Sequence, residues 1–226
     1  MCTVSWLRSD RGYTLFSSRD EKTARLEAEP PALSLSNGVR YVAPRDVDFG
    51  GTWIAANEFG LSLCLLNGQP RHRGVLSRGH VIGRVVHAKY VGEAEGLIRE
   101  MKLTCFAPFV LLALSGQCAA TFRWTGDALF SLPGLRTRGL LTSSSYDDEG
   151  VRIARGREFE RALSLERFHR SHTGGKNAYS VCMHRPDART VSLTRVDAGP
   201  AGLSMSYQPG SPCSGRRPHS ISIPRT

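Results

Sequence analysis

The first twenty-one residues, MCTVSWLRSDRGYTLFSSRDE (1–21), decide the fold. Two strand-like runs, residues 3–8 and 13–17, flank the sequence SDRG (9–12), whose residue types favour a tight turn. The chain is therefore predicted to start with a β-hairpin. This places Cys2 at the end of a strand, close to a sheet, rather than on a frayed terminus.

The position of Cys2 directly behind Met1 gives it a specific chemistry. A cysteine is small enough for an aminopeptidase to remove the preceding methionine, which leaves Cys2 with a free α-amine. Such an amine has a pKa of about 7.7–8.0, so it can accept the proton of its own thiol while the sulfur attacks a carbonyl. Position alone leaves open the alternative of an incidental cysteine.

The segment SRDE (18–21) closes the first hairpin. Because a hairpin brings its first and last residues together, Arg19 and Asp20 are predicted to lie close to Cys2. An arginine lowers the pKa of a neighbouring thiol, and a carboxylate can orient the α-amine. An ordinary surface ion pair is the alternative interpretation of these two charges.

A second hairpin is predicted from residues 52–56 and 61–66, which flank the turn NEFG (57–60). The side-chain amide of Asn57 is a neutral donor suited to stabilising an oxyanion. The pattern Asn-x-x-Gly at a hairpin tip is also ordinary turn chemistry. Trp53, on the first strand of this hairpin, is assigned to the core or to a pocket wall.

Several short stretches together resemble one family. They are MCT (1–3), SRDE (18–21), GGTW (50–53), LNG (66–68) and SRG (77–79). In order and spacing they resemble the NRDE family, also called the transport and Golgi organisation protein 2 family, up to about residue 207. The segment NEFGL (57–61) is similar, more loosely, to one in the bile salt hydrolase and penicillin V acylase group of N-terminal-nucleophile (Ntn) hydrolases.

The resemblance implies an α+β fold, a four-layer αββα sandwich of antiparallel sheets. It also implies individual roles: Cys2 as nucleophile, Arg19 as the neighbour that lowers its pKa, and Asp20 as the holder of the α-amine. Asn57 would be the oxyanion donor. Arg195 occupies a place like that of a second active-site arginine.

Two residues depart from the family pattern. Ser18 replaces the first residue of the Asn-Arg-Asp-Glu signature, and Ser143 stands where the related hydrolases place a second catalytic asparagine. Loss of one oxyanion donor typically lowers the rate about 10²–10³-fold. Trp53 and Ser143 are assigned to substrate binding.

Two functions follow as hypotheses. The first is a cysteine Ntn hydrolase or acyltransferase that acts on a non-peptide amide or thioester. The second is a carrier on the same fold that binds a lipid, an acyl-CoA or haem. The retained Cys2, Arg19, Asp20 and Asn57 favour the enzyme, and Ser143 favours the carrier. In both cases the partner is a small molecule, and no cofactor is expected.

Composition and charge argue against a nucleic-acid-binding, a membrane-spanning or a secreted protein. The net charge is +10, with 30 basic and 20 acidic residues, but no nucleic-acid-binding motif accompanies it, so a solvated arginine-rich surface is predicted. No apolar run approaches the roughly 20 residues of a membrane span, and no apolar leader follows Cys2. We therefore expect a cytoplasmic protein with one domain, residues 1–208. Residues 209–226, rich in Pro, Ser, Gly and Arg, are predicted to be a disordered tail.

No metal site is predicted. The six cysteines are Cys2, Cys64, Cys105, Cys118, Cys182 and Cys213, and none forms a CxxC pair. His169 and His172 could ligate a metal or haem, but their Arg and Ser neighbours favour solvated side chains. In a strand, Cys182 and His184 would share one face while Met183 points to the other, which favours ordinary packing.

Overall fold

The computed structural model describes residues 2–69, 74–134 and 137–226. Within these residues, two antiparallel sheets form the centre of the molecule. The first has six strands, in the spatial order β10 (Arg138–Ser143), β1 (Cys2–Ser9), β2 (Gly12–Lys22), β11 (Ala188–Gly199), β12 (Gly202–Pro209) and β13 (His219–Pro224). Its central strands come from opposite ends of the chain, so the N-terminal hairpin is locked into the middle of the sheet.

The second sheet has seven strands that follow one another in sequence order. They are β3 (Glu29–Ser36), β4 (Val39–Arg45), β5 (Ile54–Asn57), β6 (Ser62–Asn67), β7 (Phe109–Leu114), β8 (Ala119–Trp124) and β9 (Leu129–Gly134). This simple meander contains the predicted second hairpin as β5 and β6.

Two pairs of helices cover the outer faces of the sheets. Helices α1 (Gly79–Val85) and α2 (Val91–Glu100) pack on the seven-stranded sheet, and α3 (Asp148–Arg161) and α4 (Leu165–His169) pack on the six-stranded sheet. The four layers confirm the αββα sandwich that the resemblance implies. No helix within the described residues is long and apolar enough to cross a membrane.

The core between the sheets follows from strand alternation. Val4 and Trp6 of β1 point inward and meet Ile54 of β5, Leu112 of β7 and Tyr207 of β12. Thr3 and Ser5, between them on β1, therefore face α3 and α4, because successive side chains of a strand point to opposite faces. The two faces of β1 thus differ in chemistry.

The first hairpin has the predicted form. Strand β1 pairs with β2 from Cys2 opposite Arg19 to Ser9 opposite Gly12. Gly12 has φ of +133°, and a Cβ atom there would lie 1.9 Å from the carbonyl oxygen of Ala198 on β11. Glycine is therefore required at this turn, both for its backbone conformation and for the close approach of β11.

Three local predictions are wrong. The Pro and Asp content of residues 27–49 predicts a loop with one short strand, but these residues form the two strands β3 and β4. The apolar stripe of residues 158–169 predicts one helix, but α3 ends at Arg161 and α4 begins at Leu165. Residues 179–184 are predicted to be a strand, but they form neither helix nor strand.

The predicted disordered tail is also different in the structure. Residues 219–224 form β13, which pairs with β12 from Gly202 opposite Pro224 to Tyr207 opposite His219. Ile223 is buried in the core between the sheets, and Ile221 packs against that core. The alternation in HSISIP (219–224) supplies this apolar face, and the polar composition of the segment as a whole conceals it.

Candidate active site around Cys2

Strand pairing places three predicted site residues side by side. Cys2 on β1 lies directly opposite Arg19 on β2 and, on its other side, opposite Ser143 on β10. Directly paired residues of an antiparallel sheet point to the same face, with Cβ atoms about 4.5–5.5 Å apart. All three side chains therefore face the space between the two sheets. Cys2 is 6% exposed and Arg19 is 3% exposed.

A cavity of about 670 Å³ opens over Cys2. Its wall comes from both sheets and from residues 74–79, which lead into α1. The residues that matter for its chemistry are Cys2, Arg19, Thr52, Trp53, Asn67 and Arg78. This volume lies in the range of sites that bind small organic molecules.

The guanidinium of Arg19 is held on three sides. It lies over the ring of Trp53, with Cζ 4.3 Å from the ring centroid. Its Nη2 atom is 2.9 Å from a carboxylate oxygen of Asp46 and 3.5 Å from one of Glu21. Arg25 shares both carboxylates. Arg19 is thus fixed in position, and two carboxylates offset part of its charge.

Burial raises the pKa of the Cys2 thiol and is the largest influence on it. The nearby carboxylates of Asp20 and Glu21 raise this pKa further, while the charge of Arg19 lowers it. Arg19 thus lowers the pKa of Cys2 as expected, but desolvation of the thiolate outweighs it, so the net shift of the pKa is upward. The resting thiol is neutral at pH 7.

Asp20 has buried partners on the outer side of the six-stranded sheet. Its carboxylate accepts a hydrogen bond from Thr190 Oγ1 at 2.6 Å and lies 3.2 Å from Nη1 of Arg155 on α3. Both members of the Asp20–Arg155 ion pair are fully buried. The α-amine of Cys2 is a backbone nitrogen, which lies in the plane of the sheet rather than on one of its faces. The expected contact between Asp20 and this amine stays a prediction.

The structure does not bring the Asn57 amide to the cavity. Its Nδ2 donates to the carbonyl oxygens of Val86 and Ala88, both at 2.7 Å. Its Oδ1 accepts from the backbone N–H groups of Phe59 and Leu61. Both N–H bonds of the amide are used to join the β5–β6 turn to the end of α1. Asn57 therefore has no donor left for an oxyanion, which corrects the role expected of it.

Arg195 also lies away from the cavity. Its side chain on β11 is 46% exposed and forms an ion pair with Asp197 at 2.7 Å. It lies over the ring of Phe16, which belongs to the core beneath α3 and α4. The expected position in the active site is therefore wrong, since β11 turns this side chain to the outer face.

Arg78 is the second arginine of the cavity, and sequence reasoning did not single it out. It precedes α1, lines the cavity, and donates to the carbonyl oxygen of Pro108 at 3.1 Å. Burial lowers its pKa, while the charges of Cys2 and Glu21 oppose that shift. The stretch SRG (77–79) could have indicated Arg78, because it is one of the stretches that carry the resemblance, but no role was assigned to it.

Two buried donors lack partners, one on the residue paired with Cys2 and one on a residue of the cavity wall. Ser143 Oγ and Trp53 Nε1 are buried and have no hydrogen-bond partner among the described residues. An unpaired buried donor costs about 1–3 kcal/mol, so native structures keep few of them. Both residues were assigned to substrate binding. Ser143 is paired with Cys2 and Trp53 lines the cavity, so their free donors suit an acceptor atom of a ligand.

The four layers, together with a cysteine opening the central hairpin, define the Ntn-hydrolase fold. The chain is similar to penicillin V acylase from Agrobacterium tumefaciens, with a TM-score of 0.60 and 14% identity over 99% of this chain and 86% of that one. It is similar to a variant of conjugated bile acid hydrolase from Clostridium perfringens, with a TM-score of 0.59 and 11% identity over 99% of this chain and 92% of that one.

An N-acylethanolamine-hydrolyzing acid amidase ortholog from Caenorhabditis elegans is also similar. Its TM-score is 0.55, with 12% identity over 86% of this chain and 92% of that one. No protein-family model matches the sequence, and no curated protein matches it. At these identities the three structures show a shared fold.

Proposed function

We propose that this chain is a cysteine Ntn hydrolase that acts on a small non-peptide amide. The observation that carries the proposal is the placement of Cys2 at the base of a cavity, directly paired with Arg19 and Ser143. The titles of the similar structures describe an acylase, a bile acid hydrolase and an acid amidase, which supports an amide substrate. Membership of the NRDE family and a cytoplasmic location, where its thiols stay reduced, belong to the same proposal.

The mechanism starts with removal of Met1. The α-amine of Cys2 then accepts the thiol proton as the sulfur attacks the amide carbonyl, which suits a thiol that is neutral at rest. The new oxyanion accepts hydrogen bonds from Ser143 Oγ and Trp53 Nε1, the two free donors. The amine leaving group takes the proton back from the α-ammonium, and water then hydrolyses the thioester on Cys2.

The arginines of the cavity bind and orient the substrate. Arg19 is fixed over Trp53 and partly neutralised by Asp46 and Glu21. Arg78 has no ion pair among the described residues and is therefore the stronger anion site. A carboxylate or phosphate on the substrate would be held there, within reach of Cys2. Acyl-CoA thioesters and acylated amino acids carry such groups.

The test is turnover of a panel of N-acyl amides, lactones and acyl-CoA thioesters. We expect at least one product, with Cys2→Ala lowering kcat by at least ~10³-fold while ligand affinity changes little, because only covalent steps are lost. Cys64→Ala, another buried cysteine in the inter-sheet core, is the matched control and should keep turnover. No product from any panel member would contradict the proposal.

The carrier is the second candidate, and the commitment of Asn57 favours it. With that amide occupied and serine at 143, the side-chain amide donors expected for an oxyanion are missing. A carrier would bind fluorescent fatty-acyl or haem ligands saturably, without turnover, and Cys2→Ala would matter little. Ser143→Asn separates the two, because it should raise the rate of an enzyme and leave a carrier without turnover.

A further inference from the structure

Four metal-ligating side chains meet at one point outside the cavity. They are His172, Cys182, His184 and Cys213, and their ligand atoms all lie within 4.8 Å of one another. His172 Nε2 and His184 Nε2 are 3.1 Å apart. The sulfurs of Cys182 and Cys213 are each 3.5 Å from His184 Nε2.

The three separations that involve His184 Nε2 match those of a tetrahedral metal site. With Zn–N of about 2.0–2.1 Å and Zn–S of about 2.3 Å, ideal tetrahedral angles place two nitrogens about 3.3 Å apart and a nitrogen and a sulfur about 3.6 Å apart. The observed 3.1 and 3.5 Å agree with these values. Hydrogen bonding alone gives no reason for two thiols to converge on one imidazole nitrogen.

The segment that carries three of the ligands has little regular structure, so a metal ion would stabilise it as a cross-link. Residues 171–187, all of which the structure describes, form neither helix nor strand. Cys213 lies in a short 3₁₀ helix after β12, 29 residues beyond His184. Backbone bonds shape the segment locally, such as Cys182 N–H to Ser171 O at 3.1 Å. A metal would fasten this segment to the chain that follows β12.

We propose that these four residues bind one zinc ion in a closed Cys₂His₂ site. Two imidazoles and two thiolates are the ligand set that zinc prefers, and four protein ligands leave no open position for catalysis. Binding releases the two thiol protons, and the two thiolates neutralise the charge of the ion. The role of the site is therefore structural.

The side chain of Thr190 on β11 links the zinc site to the six-stranded sheet. Thr190 Oγ1 accepts from the backbone N–H of Met183, which lies between two of the ligands, and donates to Asp20. Asp20 precedes the end of β2, next to Arg19 of the cavity. The zinc site thus supports the outer side of the strand that carries Arg19, although none of its ligands lines the cavity.

The first test uses the full-length protein, purified under reducing conditions, with its metal content measured by mass spectrometry. We expect one zinc per chain. After chelation, titration with Co²⁺ should give the visible absorption of a tetrahedral site and thiolate-to-cobalt charge-transfer bands, both abolished by one equivalent of Zn²⁺. A wild-type protein that shows no stoichiometric metal and no thiolate band would overturn the proposal.

The second test locates the site with single variants. Cys213→Ser changes an exposed side chain, so it is the variant that least disturbs folding. It should weaken Co²⁺ binding at least tenfold and reduce the charge-transfer intensity by about half, as one of two thiolates is lost. Cys105→Ser, on the opposite side of the sandwich, is the matched control and should bind like the wild type. Equal binding by both variants would overturn the assignment.

Discussion

The two faces of the six-stranded sheet use neighbouring residues in opposite ways. On the inner face, Cys2 and Arg19 line a cavity, and Ser143, which is paired with Cys2, has a hydroxyl with no partner among the described residues. On the outer face, Asp20 and His169 are fully buried and bonded. Arg19 and Asp20 are neighbours on β2, yet Arg19 faces the cavity where a ligand would bind, whereas Asp20 faces the helices and stabilises the fold.

The outer face gives a structural role to Ser18, the residue at which SRDE (18–21) differs from the Asn-Arg-Asp-Glu signature that it resembles. His169 Nδ1 is 2.7 Å from Ser18 Oγ, and its Nε2 is 2.8 Å from Ser5 Oγ. A neutral imidazole donates from one nitrogen and accepts at the other, so both hydroxyls are satisfied. Ser18 therefore serves the packing of α4 against the sheet, and its side chain faces away from Cys2.

The largest expected effect on stability is at Arg155. Arg155→Met removes a buried guanidinium partner of the Asp20 carboxylate, which should lower the free energy of unfolding by about 3–5 kcal/mol. Arg152→Met, on the exposed side of the same helix, should change it by less than about 0.5 kcal/mol. Urea unfolding followed by circular dichroism measures both. Similar losses in the two variants would contradict the difference between the faces.

The second-largest effect is expected at Asn57, where a substitution distinguishes a structural role from a catalytic one. Asn57→Ala removes the partner of two carbonyls after α1 and of two backbone N–H groups in the β5–β6 turn. The free energy of unfolding should therefore fall by about 2–3 kcal/mol. In the folded fraction kcat should stay within about threefold. Asn67→Ala, in the cavity wall, should instead alter KM with stability nearly unchanged. A 10²-fold loss of kcat in Asn57→Ala would restore the oxyanion role.

The buried imidazole gives the fold a pH dependence. Burial, helped by the charge of Arg155, lowers the pKa of His169 from 6.5 to about 3. Between these values the unfolded chain binds a proton that the folded protein does not, so stability falls as pH falls below about 6.5. The difference reaches about 2 kcal/mol at pH 5. His169→Gln should remove that part of the pH slope in urea unfolding, and His219→Gln, at an exposed histidine, should retain it.

The smallest expected effect is at Arg195. Its half-exposed ion pair with Asp197 should contribute less than about 1 kcal/mol, and Arg195→Ala should leave kcat/KM within about twofold. Arg78→Ala, in the cavity, should raise KM at least tenfold for an anionic substrate. Steady-state kinetics on one panel substrate compares the two. A larger effect of Arg195→Ala would place the second active-site arginine where the resemblance put it.

Local patterns were predictable from the sequence, and long-range ones were not. The turn at residues 9–12 fixes the register that pairs Cys2 with Arg19, so both were found. The pairing of Cys2 with Ser143 joins residues far apart in the chain and was not predicted; the resemblance indicated only that Ser143 belongs to the site. Asn57 was misassigned because the hydrogen bonds that occupy its amide come from the end of α1, which no local pattern connects to the β5–β6 turn.

The zinc site shows the same limit. Strand alternation predicted that Cys182 and His184 share one face. Their Sγ and Nε2 atoms do lie 3.5 Å apart, but the segment is not a strand. Its fourth ligand, Cys213, lies in a stretch whose composition predicted disorder. Sequence rules for zinc ligands rely on short motifs. Here β11 and β12 lie between the first three ligands and Cys213, so only the folded chain brings all four together.

The intact mass of the purified protein tests the central claim most directly. The proposed chemistry requires the α-amine of Cys2 as the base, so we expect a mass lower than that of the full sequence by one methionine residue. Incubation with a turned-over substrate should then add the acyl group to this mass, and Cys2→Ala should abolish the adduct. A protein that keeps Met1 and still turns over the substrate would contradict the mechanism.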